Sequence, residues 1–380
     1  MKFNIKGEQF VNSLTKLSSV IPTRSTLPIL DNILFELEGN KLKLLASDLE
    51  IFVRTTVEVE GSEDGRVAIP AKRLLEISRT LTSANISVDV NEKNKLTLKT
   101  KNGKYSLSGE PPEDFPTPEE KENLNRIELD GSILRRFISK IIHAVNNDEI
   151  RRNMSGILFD ISKSELRFVA TDGFRLGKII KTNFTHDNPA DHKIIVPLKT
   201  CQLILRLNNN EDSVVEYDEN LIRITFNDVD IYSKLIDDTF PNYETVIPLD
   251  NNKLLIIDKG NIESSLRRAL IFADDITKRV KLEITNNSIT IKADNPEIGA
   301  EGEETIDCEF RMKDSSDVNF DEEPFSIAFN ASYLIDCVSH IQTDRINFDF
   351  NTPSKAAIAT PTEQSPDEDF MELVMPVRVG

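Results

Sequence analysis

The stretch GILFDISKSELRFVATD, residues 156–172, decides how the whole chain is read. Apolar side chains alternate through GILFDI, a polar KSE follows, and alternation resumes until the run closes on Thr171 and Asp172. Period-two patterning on both sides of a short polar turn predicts a β-hairpin with one buried face. The pattern returns in NILFELEGNKLKLLASD, residues 32–48, and in VKLEITNNSITIKAD, residues 280–294. Each copy ends on an Asp, and the copies lie roughly 120 residues apart, a domain length far above solenoid periods.

The flanks repeat as well. Amphipathic helices precede the hairpins in GEQFVNSLTKLSSV, GSILRRFISKIIHAV and KGNIESSLRRALIFA, with Phe10, Leu14 and Leu17, or Ile133, Phe137 and Ile141, at helical spacing. A strand and a second helix follow in VAIPAKRLLEISRTL, IIVPLKTCQLILRL and FSIAFNASYLIDCVSHI. The first two copies both finish on Phe-Pro, Phe115-Pro116 and Phe240-Pro241. Each copy therefore reads strand, helix, three strands, then strand, helix, three strands, an α+β unit with an internal two-fold echo. Polar, Pro-bearing stretches at PPEDFPTPEEKENLN and IPLDNN mark linkers. The expected domains are 1–120, 126–248 and 251–380.

The bulk composition bounds function. The 380 residues carry 64 acids against 46 bases, a formal charge of −18, which argues against coating nucleic acid or a basic membrane surface. Cys201, Cys308 and Cys337 form no CxxC pair and suit a reducing cytoplasm. Neither the start, MKFNIKGEQF, nor any later window has the apolar run of a signal peptide or membrane span, so a soluble cytoplasmic protein is expected.

Positive charge is segregated within this acidic chain. Helices are expected at Glu8–Val20, Ala71–Leu81, Gly131–Val145, Leu198–Leu207, Lys259–Ala273 and Ala331–Ile341, and together they hold about twelve Lys/Arg and about four Asp/Glu. Lys72, Arg73, Glu76 and Arg79 share one polar side, and Arg136, Lys140 and His143 fall in a row. A basic helical surface suits a polyanion met in one confined place. If such helices line a ring about 9–10 Å apart, six leave a bore of about 8 Å, too tight for a duplex. Twelve leave about 26 Å, so a DNA ring of this kind needs two chains.

In order along the chain, TLPILDNILFEL, DLEI, IPAKRLLEI, ATDGFRLG, FPNYETVIP, NPE and VMPVR give it a close resemblance to the bacterial sliding clamp family, the beta subunits of DNA polymerase III. The resemblance implies three similar clamp domains, each with two helices and two antiparallel sheets, in a head-to-tail homodimeric ring. It implies a DNA polymerase processivity factor with basic helices around double-stranded DNA, no catalysis and no cofactor. Implied partners are the replicative polymerase, the clamp loader, and other polymerases and repair proteins carrying clamp-binding peptides.

By the same resemblance, a peptide-binding cleft between the second and third domains is expected from Arg151, Met154, Thr171, Gly173, Phe174, Arg175, Leu176, Pro241, Val246, Val374, Met375, Pro376, Val377 and Arg378. Leu176, Val246, Met154 and Met375 would give an adaptable apolar floor and Gly173 a tight turn. Phe174, Thr245 and Val377 depart from residues frequent in the family and should shift peptide preference. DNA contacts map onto Arg24, Arg73, Lys199, Lys278 and Arg279, all to phosphate, since a sliding protein must not read bases. Arg152 and Asn153 stand where one member has aromatic residues against DNA. The dimer seam maps onto Tyr105 and Leu107 facing Ile271 and Phe272, with Arg73 and Lys104 opposite Glu301, Glu303 and Glu304.

Two other classes compete with this reading. An enzyme would rest on the Asp-rich turns and on acids such as Asp228 and Asp230. But the hairpin Asp recurs in all three copies, which favours a turn role, and no phosphate loop, HExxH, GxSxG or CxxC cluster occurs. The four histidines, His143, His186, His192 and His340, are dispersed in sequence and suggest no metal or acid–base role. A peptide-binding scaffold without DNA fits the net charge but not the basic helices.

Overall fold

The structure, a computed structural model, describes residues 1–148, 150–186, 190–314 and 319–378. Part of RMKDSSDVNFDEEPF, whose reading as loop or insertion was open, therefore lies outside the described residues. Six α-helices are α1 (Gly7–Leu17), α2 (Ala71–Arg79), α3 (Gly131–Ile141), α4 (Leu198–Leu207), α5 (Lys259–Phe272) and α6 (Ala331–His340). All six fall where the periodicity puts them. Phe10, Leu14 and Leu17 are fully buried, as are Leu134, Phe137, Ile138 and Ile141. Among the described residues three helix starts carry side-chain caps: Asp130 accepts from the Ser132 N–H at 3.0 Å, Asp258 from that of Asn261 at 2.8 Å, and Asn330 from that of Ser332 at 2.9 Å.

The chain divides into two compact units, with the boundary inside α3. The first unit holds a five-stranded sheet, ordered Glu60–Glu63, Lys2–Lys6, Asn85–Val90, Lys95–Lys99, Lys104–Ser108. Its second sheet has eight strands: Asn125–Leu129, Ser213–Tyr217, Leu221–Phe226, Val229–Lys234, Ile51–Glu58, Lys41–Ser47, Asn32–Glu38 and Gly65–Pro70. In the other unit a nine-stranded sheet runs His192–Pro197, Gly156–Ile161, Glu165–Thr171, Arg175–Thr182, Glu368–Val374, Ala357–Pro361, Arg345–Phe350, Lys253–Asp258, Glu309–Met312. A four-stranded sheet there is ordered Ala300–Asp307, Ser288–Asn295, Arg279–Ile284, Phe325–Asn330. The expected strand and helix order holds in all three copies, with Glu60–Glu63 and Glu309–Met312 as additions in the first and third.

Neighbouring copies are sewn together by backbone pairing. Ile231 sits opposite Val53 where the second copy meets the first, and Leu176 opposite Leu373 where it meets the third. Both sheets thus run on through a seam instead of ending in an open edge.

Two sequence expectations need correction. The terminal Asp is a turn residue in the first two hairpins: Asp48 accepts from Glu50 and Ile51 N–H groups, and Asp172 from Phe174 and Arg175. In the third hairpin the strand runs longer, so Asp294 stays inside it and pairs with Arg279, while Asn295 accepts from the Glu297 N–H. The row Arg136, Lys140, His143 is not an open basic surface for a polyanion either. Arg136 grips the Glu368 carboxylate, and Lys140 stands 4.6 Å over the Phe370 ring. His143 lies on a one-turn 3-10 helix, Ile142–Ala144, with its side chain only 7% exposed. Burial, then the charge of Arg136, lowers the Lys140 ammonium below its usual range.

Candidate functional site

The site is built on the turn of the hairpin that opens the sequence argument. Thr171 Oγ1 donates to the Arg175 carbonyl at 2.7 Å and accepts from the Gly173 N–H at 3.1 Å. With Asp172 capping the next two N–H groups, the backbone reverses at Gly173, whose φ of +90° suits a residue without Cβ. Turn chemistry therefore accounts for Thr171, Asp172 and Gly173, and it pushes Phe174 outward, 53% exposed.

Around this tip three segments converge. The Met375 N–H donates to the Phe174 carbonyl at 2.8 Å, which sets the C-terminal segment beside the turn. Tyr243–Val246 forms a 3-10 turn that leaves Val246 50% exposed above a buried Tyr243. Arg152–Met154 forms another, tied to the chain before Phe240 by an Asn153 side-chain bond to the Thr239 carbonyl at 3.3 Å. The Arg151 guanidinium would stand 3.4 Å from a Cβ placed on Gly173. The apolar floor comprises Leu158, Val169, Leu176, Ile195, Tyr243, Met371 and Leu373, with Phe240 and Ile247 packed at its margin.

The expected cleft residues take different roles. Phe174, Val246 and Met375 present exposed apolar surface, and Met154, Pro241, Pro376 and Val377 are half-buried. Leu176 and Val374 are each 1% exposed: Leu176 is part of the buried floor, and neither presents surface. Arg175 is spent internally: it pairs with Asp172 at 3.1 Å and with Asp336, and stacks 4.8 Å over Tyr333. Val377 is fastened by its N–H to the Ala328 carbonyl at 2.8 Å, and Arg151 and Arg378 are exposed. Sequence reasoning missed Tyr243, Ile247 and Arg167. The last bonds both Tyr243 Oη, at 3.4 Å, and Glu244, at 2.8 Å. Alternation in FPNYETVIP carried no sign of this, because a 3-10 turn has no strand period.

The expected DNA contacts divide in the same way. Arg24 and Arg73 are exposed. Lys199 pairs with Asp48, Arg279 with Asp294 at 3.2 Å, and Lys278 (φ +50°) closes a turn through its N–H to the Asp274 carbonyl at 2.8 Å. Of the expected seam residues, Tyr105 is 40% exposed on Lys104–Ser108, the last strand of the five-stranded sheet. Ile271 and Phe272 are 74% and 39% exposed at the end of α5. Glu301, Glu303 and Glu304 lie on Ala300–Asp307, the last strand of the four-stranded sheet. Glu304 is drawn back to its own domain: hydrogen bonds from Arg268 and Ser265 lower its carboxyl to about 2.

Three tandem α+β copies, merged strand to strand at each internal junction, define the class of three-domain DNA clamps. Family models for the DNA polymerase III beta subunit match the chain throughout: N-terminal domain at residues 1–119, central domain at 128–242, C-terminal domain at 244–378. The chain is 30% identical to the beta sliding clamps of Pseudomonas aeruginosa and Vibrio cholerae, over the full length of all three proteins. The crystal structure of DNA polymerase III subunit beta from Pseudomonas aeruginosa superposes with a TM-score of 0.92, covering 100% of both chains at 30% identity. That of Thermotoga maritima, at 24% identity and TM-score 0.87, shares the fold. The chain belongs to the bacterial beta sliding clamp family. Its function is that of a DNA polymerase processivity clamp, a non-catalytic subunit. No helix among the described residues is long and apolar enough to cross a membrane.

Proposed function

We propose that two copies of this chain join head to tail into a ring around duplex DNA in the cytoplasm. The ring slides without reading sequence and holds the replicative polymerase, the clamp loader, and other polymerases and repair proteins through the cleft built around Phe174. The domain borders are 1–120, 126–248 and 251–380. One observation carries the reading: Lys104–Ser108 and Ala300–Asp307 are both terminal strands, one of a five-stranded sheet and the other of a four-stranded sheet. Paired between chains, they would make a nine-stranded sheet, comparable with the eight- and nine-stranded sheets that run through the two internal seams. Tyr105 and Leu107 would then meet Ile271 and Phe272, with Arg73 and Lys104 facing Glu301 and Glu303, and Glu304 contributing less because Arg268 holds it.

Arg24, Arg73 and Lys278 are the readiest phosphate contacts, whereas Lys199 and Arg279 must first release Asp48 and Asp294. Direct affinity is thus weak and salt-sensitive, and retention comes from enclosure. The test is loading onto nicked circular DNA with a clamp loader and ATP, followed by linearisation. Lifetime on the circle should greatly exceed that on linear DNA; equal lifetimes would refute topological tethering. Ile271→Ala with Phe272→Ala should run as a monomer on a sizing column, and an unchanged dimer at low concentration would remove those residues from the seam.

A further inference from the structure

We propose that His143, Cys337 and Glu372 form a buried structural site for a divalent cation of borderline softness, best matched by Zn2+, which ties the second clamp domain to the third. The three come from separate elements: the Ile142–Ala144 turn after α3, the middle of α6, and the strand Glu368–Val374. Cys337 and Glu372 are fully buried and the His143 side chain is 7% exposed. His143 Nε2 stands 3.3 Å from Glu372 Oε2 without the alignment of a hydrogen bond, and Cys337 Sγ lies 3.8 Å from the same oxygen. Their candidate donor atoms all lie within 4.8 Å of one another.

The N–O and S–O separations are close to the edges a tetrahedral cation needs. Bonds of about 2.0–2.1 Å to nitrogen and oxygen and about 2.3 Å to sulfur give tetrahedral edges of about 3.3 Å between N and O and about 3.6 Å between S and O. Both ring nitrogens of His143 and Oε1 of Glu372 lack a hydrogen-bond partner. Buried polar atoms left in that state are costly, and a cation bound by them offsets the cost. Cys337 thiolate and Glu372 carboxylate balance a 2+ charge, with the thiol and any carboxyl proton released to buffer on binding. The cations facing the cluster do not take the place of the metal. Arg175 is held by Asp172 and Asp336, and Arg136 by Glu368, while Lys140 lies over Phe370. His340 stacks on His143 at 4.0 Å between ring centres, with Nδ1 2.7 Å from the Asp336 carbonyl oxygen, and lies outside the three-residue donor group.

The test uses the full chain stripped with a chelator. Calorimetric titration with Zn2+ alone should show one equivalent per chain, bound at least about 100-fold more tightly than by the double variant His143→Phe/Glu372→Leu. That variant replaces buried polar groups with apolar ones of similar size, which commonly preserves folding. Added Zn2+ should raise the thermal midpoint of the native chain by several degrees and leave the variant unmoved. With Co2+ as probe, the native chain should show tetrahedral visible bands and a near-ultraviolet thiolate band that Cys337→Ser loses. Equal affinity in the double variant, or no saturable binding by the native chain, would overturn the site. If the double variant does not fold, the same decision falls to the Co2+ thiolate band with and without Cys337→Ser.

Discussion

The two internal seams occupy equivalent places in the repeat and are finished in opposite ways. At the first, Ile51–Glu58 pairs with Val229–Lys234 and the junction is braced by charge. Arg54 bonds Asp230 at 3.0 Å and Glu120 at 2.9 Å, Lys16 bonds Asp228 at 2.7 Å, and Arg223 and Thr225 close on Asp230 from the next strand. Its apolar cluster, Leu34, Leu45, Ala68 and Phe115, is buried, with Phe115 4% exposed and Ile29 and Phe52 half-buried against it. At the second seam Arg175–Thr182 pairs with Glu368–Val374 through the same antiparallel geometry, yet Phe174, Val246 and Met375 stay at the surface beside the floor. Glu50 occupies the repeat position that Phe174 holds in the second hairpin. Backbone pairing makes either seam; the side chains decide whether it is braced by charge or leaves apolar groups at the surface.

Arg54→Ala should give the largest effect. It leaves Asp230, whose side chain is only 15% exposed, to Arg223 and Thr225 alone, and a loss of about 2 kcal/mol is expected in chemical denaturation. A change under about 0.5 kcal/mol would mean the first seam is held by strand pairing alone. At the second seam, Phe174→Ala with Met375→Ala should weaken a labelled clamp-binding peptide from a replicative polymerase at least about tenfold, some 1.4 kcal/mol, with the melting curve nearly unmoved. Unchanged peptide affinity would separate this surface from recognition. Gly173→Ala sits between the two kinds of change: a Cβ at φ +90° strains the turn, with a cost of about 1 kcal/mol read in the same denaturation.

How much of this was legible in the sequence depends on the length scale of each signal. Hairpins and helices were, because alternation and 3.6-residue spacing are local, and the repeat let each copy support the others. Asp48 and Asp172 as turn residues were legible for the same reason, whereas one more strand residue before the third turn moved that role from Asp294 to Asn295. What a charged helix face meets was not legible. Arg136 and Lys140 read as part of a basic helix surface because Glu368 and Phe370, which cover them, lie more than two hundred residues away in the chain. His143 looked isolated among dispersed histidines until the fold set it beside Cys337 and Glu372. In the cleft, the exposed Phe174 and Met375 came through the family motifs, but the buried support from Tyr243 and Arg167 needed the three-dimensional floor.

The smallest expected effect is a pH slope confined to the first seam. Burial pushes the Asp230 carboxyl up, but the Thr225 hydrogen bond and the charge and hydrogen bond of Arg54 outweigh it, leaving the group below its usual value of 3.8. A carboxyl lowered in the folded state stabilises at pH above its unfolded value, and that contribution disappears as the pH falls through the folded value. Between pH 7 and about pH 5 the seam should therefore be indifferent, and its stability should decline only as the solution is acidified below about pH 4. Asp230→Asn removes the titrating group while keeping its size. Denaturation midpoints of the two proteins should differ at neutral pH and converge in acid. A gap that stays constant with pH would assign the bracing to shape and neutral hydrogen bonds, and would leave the contrast between the seams one of packing and not of charge.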